Sequence, residues 1–222
     1  MEKIKIKDGS ELYMVIRKRV AEHGADTYLN DLDVSDVITF SYMFHDIDWS
    51  GDLSGWDMSH AIYTNHMFMG STFNGDIGAW DMSSVKSMDF MFSGSLFNGD
   101  ISSWDVSEVY SMAGMFMGNN VFTGNISGWD VSFVHDMTDM FRDSAFDGDI
   151  SAWDVGMECR MPGMFVNSVL AAGMGRSYHK DPAGMKVLLL RSLMDGKPVE
   201  GTYGLLHAVA DGMDTRIFNK DI

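Results

Sequence analysis

The phrase Trp-Asp-x-Ser returns at a nearly fixed interval, and that interval limits what the chain can fold into more than any other property. It occurs at Trp56, Trp80, Trp104 and Trp129, with Trp153-Asp154-Val155-Gly156 as a further copy, so the spacings are 24, 24, 25 and 24 residues. The extra residue falls in Asn119-Asn120. Leu32-Asp33-Val34-Ser35 stands 24 residues before Trp56 with Leu in place of Trp, and Trp49 falls in register with Phe73, Phe97, Phe122 and Phe146. A period between about 20 and 29 residues marks stacked supersecondary units, each too small to bury its own apolar face. The fold class expected is a solenoid, α/β or mostly β, with residues 31–168 forming about six coils.

The same register explains an unusual composition. The chain holds 21 methionines in 222 residues. Within each unit a Met-x-x-Met-Phe set recurs: Met88, Met91 and Phe92; Met112, Met115 and Phe116; Met137, Met140 and Phe141; Met161, Met164 and Phe165. The spacing i, i+3, i+4 predicts one face of a short helical turn pointing inward. Met fills irregular gaps and packs well on aromatic rings, so the stripe reads as core. Around each Trp, residues such as Trp104 and Val106 lie two apart with Asp105 between them, which predicts a short core strand with the Asp facing out. The Asn-Gly or Asp-Gly pair before it, as in Asn98-Gly99, supplies a corner.

The continuous phrase Phe97-Asn98-Gly99-Asp100-Ile101-Ser102-x-Trp104-Asp105-Val106-Ser107-x-Val109, running on into Met112-x-x-Met115-Phe116, resembles the BspA-like surface-protein variant of the leucine-rich repeat. The resemblance covers roughly residues 27–168. It implies right-handed coils with short parallel strands, in a bacterial, phage or mobile-element protein whose repeats bind other macromolecules; several members are adhesins.

Stacked units leave an apolar face open at each end, so terminal segments are expected to cover it. In residues 1–30, Asp8 and Glu11 stand at capping-box spacing, and Leu12 to His23 forms an amphipathic helix closed by Gly24, the N-terminal cap. Residues 169–222 carry no repeat. Asp181-Pro182 predicts a helix start, Lys186 to Met194 its apolar residues and Gly196 its stop, with a second short helix over Thr202 to Ala210. This segment is a C-terminal cap or a docking element.

Catalytic and metal motifs are not found. His23, His45, His60, His66, His135, His179 and His207 are scattered without His-Glu-x-x-His or Cys-x-x-Cys company, and Gly173-Met174-Gly175 lacks the Lys and Ser/Thr of a phosphate loop. The lone Cys159 cannot form an internal disulfide. The expectation is a protein that is not an enzyme, with no catalytic residue, metal or cofactor. Neither a signal-peptide core nor a spanning segment is seen, which points to the cytosol, that of the host cell if the protein is phage-encoded.

What remains is acid. Asp33, Asp57, Asp81, Asp105, Asp130 and Asp154 occupy one position of successive units, and Asp52, Asp76, Asp100 and Asp149, with Asn125 in the same row, occupy another. Stacked about 4.8 Å apart, neighbours in such a column repel by roughly 1 kcal/mol even in water. Side-chain hydrogen bonds from Ser35, Ser59, Ser83, Ser107 and Ser132, bound cations or a basic partner would compensate. Residues 31–168 carry 21 acids against only Lys86, Arg142 and Arg160, a net −18, while residues 1–30 and 169–222 are each +1 and the whole chain is −16. Six coils at about 4.8 Å give one net charge per ~1.6 Å, against ~1.7 Å for duplex DNA. Such a surface excludes direct nucleic-acid or anionic-membrane binding. Two functions are expected: binding of another, basic protein through these ten aspartates, in its sharpest form as a phage or mobile-element inhibitor that imitates nucleic-acid charge, or a surface adhesin or virion attachment component. Oligomeric state is left open.

Overall fold

A computed structural model describes residues 3–25 and 27–170 of the chain. The helices expected after residue 180 lie outside the described residues.

Successive units stack in parallel. Thr39 bridges Tyr63, and the bridges continue through Ser87, Ser111 and Asp136 to Arg160, each at single-residue length. Beyond each bridge every second amide donates to the next unit: Phe40, Tyr42, Phe44 and Asp46 N–H bond the carbonyls of Tyr63, Asn65, Met67 and Met69 at 2.7–3.0 Å. The amides between them turn back within their own unit, as Met43 N–H does to Phe40 and His45 N–H to Tyr42. The methionine segment is therefore a run of tight turns rather than the short helical turn the spacing predicts. Left-handed residues interrupt it twice per unit, as at Phe90 (φ 55°) and Gly94 (φ 61°), which no α-helix permits. The inward face comes out the same, because the turns also bring residues three and four apart to one side: Met88, Met91 and Phe92 are all fully buried.

The Trp-Asp-Val phrase also differs from its expectation. Trp104 and Val106 are buried and Asp105 is exposed, as alternation requires. Yet turns close on both sides of it, Trp104 N–H to Ile101 O and Val109 N–H to Val106 O, leaving no room for a strand. Among the described residues the only ladder longer than one residue joins β1 (Ile4–Lys5) to β2 (Leu32–Asp33), in parallel.

Two aromatic columns run through the interior. Phe44, Phe68, Phe92, Phe116, Phe141 and Phe165 stack at centroid separations of 5.3–6.1 Å. Trp49, Phe73, Phe97, Phe122 and Phe146 form the second at 5.7–6.4 Å. Rings of the two columns touch within each unit, as Phe92 and Phe97 do at 4.2 Å. Five tryptophans bind the units together from the other side. The Nε1–H of Trp56, Trp80, Trp104, Trp129 and Trp153 donates to the carbonyl of Leu29, Leu53, Ile77, Ile101 and Ile126, each in the preceding unit, at 3.0–3.2 Å. An indole thus fills volume and satisfies a buried carbonyl, which a Leu cannot do. Leu32 stands in this position in the one unit that has no unit before it.

The first unit is covered by α1 (Gly9–His23), whose Gly9, Leu12 and Ile16 are buried. The helix begins a turn earlier than its apolar face suggests. Asp8 caps it by accepting from Glu11 N–H, and Glu11 reaches back to Lys7 N–H. Gly9 admits the close approach, since a Cβ there would lie 2.6 Å from Thr39 O. Arg17 donates to the carbonyl of His45 at 2.9 Å, an acceptor that a preceding unit would otherwise use, as Asp46 N–H uses its counterpart Met69 O.

Candidate functional site

Each aspartate of the Trp-Asp-x-Ser phrase sits at the mouth of a tight turn and holds it. Oδ1 of Asp57, Asp81, Asp105 and Asp130 accepts both the backbone N–H (3.0 Å) and the hydroxyl (2.6–2.7 Å) of the Ser two residues on. Asp33 does the same with Ser35. Asp154 is followed at that position by Gly156, which has no hydroxyl to give. These are local Asx-type bonds that fix the corner between strand-like and turn backbone.

The geometry uses one carboxylate oxygen and leaves the other. Among the described residues Oδ2 of Asp57, Asp81, Asp105 and Asp130 accepts no hydrogen bond and meets no Lys or Arg; His60 acts on Asp57 through charge and lowers its carboxyl, less than Ser59 does. Asp33 is the exception, paired with Lys5 at 3.3 Å beside the cap. The Ser hydroxyl, and next its backbone N–H, hold the carboxyls of Asp57, Asp105 and Asp130 below the usual carboxylate range. Column neighbours act the other way: Asp33 at Asp57, and Asp130 at Asp105, each push the carboxyl up by repulsion.

The second row lies at the preceding corner and is built alike. Asp76 and Asp100 bond the N–H of Gly78 and Ser102 at 3.0 and 2.9 Å, and Asp149 that of Ser151 at 3.0 Å. Asp52 bonds Ser54 N–H and also accepts from Asn30. At Asp52 and Asp100 the backbone N–H of the Ser is the main cause of a lowered carboxyl. Between Asp76 and Asp100 the side-chain-free positions Gly75, Gly78 and Gly99 leave an open depression of about 610 Å³. Asn125 replaces an acid here, and its Oδ1 accepts Ser127 N–H at 3.1 Å and Ser127 Oγ–H at 2.8 Å.

The basic residues of the repeats are all engaged elsewhere. Lys86 pairs with Glu108, Arg142 with Asp139 and Asp143, and Arg160 with Asp136. None reaches either aspartate row. Among the described residues no group of three or more His, Cys, Asp or Glu side chains is arranged to hold a metal ion, and no helix is long and apolar enough to cross a membrane.

Alternation and spacing did not reveal one cluster. Tyr110 and His135 stack at 4.6 Å and 15°, and Phe133 stands edge-on to both, 6.5 and 5.5 Å away. Tyr110 is 53% exposed and Phe133 47%. The available signal was a departure from the repeat: Phe133 stands where earlier units place Asp36, His60, Ser84 and Glu108.

Comparison with curated proteins gives no match, and comparison with solved structures gives none. A family model does match, over residues 20–96 and again over 69–173. Matched over residues 20–173 taken together, more than half of its length, the chain belongs to the family described as Mycoplasma protein of unknown function, DUF285.

Proposed function

We propose that this chain is a non-enzymatic acidic repeat protein, a solenoid of leucine-rich-repeat-like coils of the BspA-like kind, that binds a basic protein through its aspartate rows. The observation that carries the reading is the equivalence of Asn125 with its acidic counterparts. Asn125 makes to Ser127 both bonds that Asp130 makes to Ser132, at closely similar distances. The turn therefore needs an acceptor oxygen and not a charge. Asp nevertheless follows all five tryptophans of the repeat and Leu32 as well, at a repulsive cost of roughly 1 kcal/mol per adjacent pair in water. With Lys86, Arg142 and Arg160 committed to other acids, the open Oδ2 atoms present an uncompensated field to solvent. A basic surface would be steered to that field and would relieve the repulsion.

In its sharpest form the partner is a nucleic-acid-handling protein, and the column offers it the charge density of a duplex. The test is a variant carrying Asp57→Asn, Asp81→Asn, Asp105→Asn and Asp130→Asn, captured against lysate from cells that naturally contain the protein. The Asn side chains can make the turn bonds without the charge that strengthens them, so the variant is expected to fold with a Tm modestly below that of the parent. Loss of a salt-sensitive basic partner that duplex DNA also displaces supports the reading. Undiminished capture by a folded variant overturns it.

A further inference from the structure

Phe133 is not required by the repeat, for polar residues fill its position in the units before it. It lies in the turn closed by Val134 N–H to Val131 O, the same turn that Asp130 holds through Ser132. Its ring stands edge-on to the flat Tyr110–His135 pair, so the three rings form a fixed angle open to solvent. Two constraints hold that angle in place. His135 N–H bonds Tyr110 O at 2.8 Å across the units, and the His135 ring nitrogen Nδ1 meets Phe133 O at 2.7 Å. On one flank is the Lys86–Glu108 ion pair, which occupies the same two register positions one unit earlier. On the other, Met157 follows Phe133 in register and is 45% exposed.

An aromatic angle of this kind, set in a segment of net charge −18, attracts a cation with a flat, weakly hydrated face. We propose that Tyr110, Phe133 and His135 are the anchor for an arginine side chain presented by the basic partner, its guanidinium lying against the rings with the open Oδ2 of Asp130 as counter-charge. This rests on the reading of the chain as a binder of a basic protein, and adds to it where the partner is gripped and by what residue type. Arginine fits better than lysine because the planar fork can stack on a ring and donate to a carboxylate together, whereas an ammonium keeps its water. Fully exposed aspartates alone would not discriminate between the two.

The experiment titrates the full chain with an oligo-arginine peptide and an oligo-lysine peptide of equal length, by fluorescence anisotropy at fixed salt. The parent is expected to bind both and to prefer arginine. Phe133→Ala is expected to weaken oligo-arginine binding about tenfold, the level of an interface hot spot, while oligo-lysine binding stays the same. Phe133→Leu keeps apolar area without the ring and is expected to behave like the Ala variant. The fourfold Asp→Asn variant is expected to lose both peptides. If the Phe133 variants bind both peptides as the parent does while the Asn variant binds neither, the anchor is refuted and the electrostatic reading stands. Retention of the arginine preference by Phe133→Leu refutes the cation–ring contact in favour of a plain apolar one. A parent that binds neither peptide overturns both readings.

Discussion

At the Trp corner every unit from Trp56 to Trp153 uses the same side chain for the same bond, whereas the left-handed corner beside the methionines is occupied in turn by Tyr42, His66, Phe90, Gly114, Asp139 and Gly163. The first corner poses a chemical demand: a buried carbonyl of the preceding unit needs a donor carried on a large apolar body. Only Trp meets it in that space. The second corner demands a backbone conformation with φ between 55° and 69°. Each unit meets that demand in its own way, and the side chain reaches over the next unit: Tyr42 stacks on His66 at 4.5 Å, His66 on Phe90 at 5.0 Å, and Phe90 lies over the bare Gly114. Residue identity repeats where chemistry is specified, and drifts where only geometry is.

The strongest way to break this contrast is to remove one member from each corner of the same unit. Trp104→Ala is expected to cost about 3–5 kcal/mol, the usual range for deleting a buried aromatic, with the Ile77 carbonyl left without its donor as well. Trp104→Phe keeps most of the volume and isolates the bond, at about 1–3 kcal/mol. Phe90→Ala, at the left-handed corner, should cost much less, because its ring is only partly buried. Urea midpoints for the three variants check the order. Equal losses at Trp104 and Phe90 would mean that the left-handed ladder contributes to the core as much as the indoles do.

The same contrast explains what could be read in the chain and what could not. The period, the buried Met and Phe residues and the capping helix all follow from spacing, because each depends on which residues are apolar and how far apart they are. The two left-handed residues per unit are only partly legible: the second of each pair is Asp46, Gly70, Gly94, Gly118, Asp143 or Asn167, types that tolerate positive φ, but Tyr42 and Phe90 in the first are not, and the shared conformation appears only when the units are stacked. For that reason Met-x-x-Met-Phe reads as a helical turn in sequence and folds as consecutive tight turns. The aspartate rows were legible as positions, but the split of labour within the carboxylates of Asp57, Asp81, Asp105 and Asp130 was not: Oδ1 serves the turn and Oδ2 is open, a distinction that only atoms can make.

A finer comparison lies within the left-handed corners themselves. A Cβ at Gly114 would sit 2.3 Å from the Phe90 ring, while at Gly94, with nearly the same φ, it would meet nothing within 4 Å. Gly94→Ala should therefore cost only the left-handed strain of an alanine, about 1–2 kcal/mol. Gly114→Ala should cost more, and the excess should vanish when Phe90→Ala is added, giving a coupling between the two positions in a double-mutant cycle. Additive losses would show that the Phe90 ring swings aside freely and that the ladder does not constrain its neighbours.

The smallest effect expected is a pH dependence at His66, sandwiched between the Tyr42 and Phe90 rings. Burial is the main cause that holds its imidazole below the ordinary value of 6.5; Asp89 pulls it up and His45 pushes it down. Because the folded state binds this proton less readily than the unfolded state, the stabilisation is complete above about pH 6.5 and declines as the pH falls below it. His66→Phe extends the aromatic ladder and removes the proton. Its Tm should fall less than the parent's between about pH 7 and pH 5, an interval in which Asp57, Asp105 and Asp130 stay ionised in the fold and their ordinary unfolded values, near 3.9, lie below the window. Parallel Tm profiles for the two proteins would place the titrating group elsewhere, and the left-handed corner would then differ from the Trp corner in geometry alone, with no charge-state sensitivity of its own.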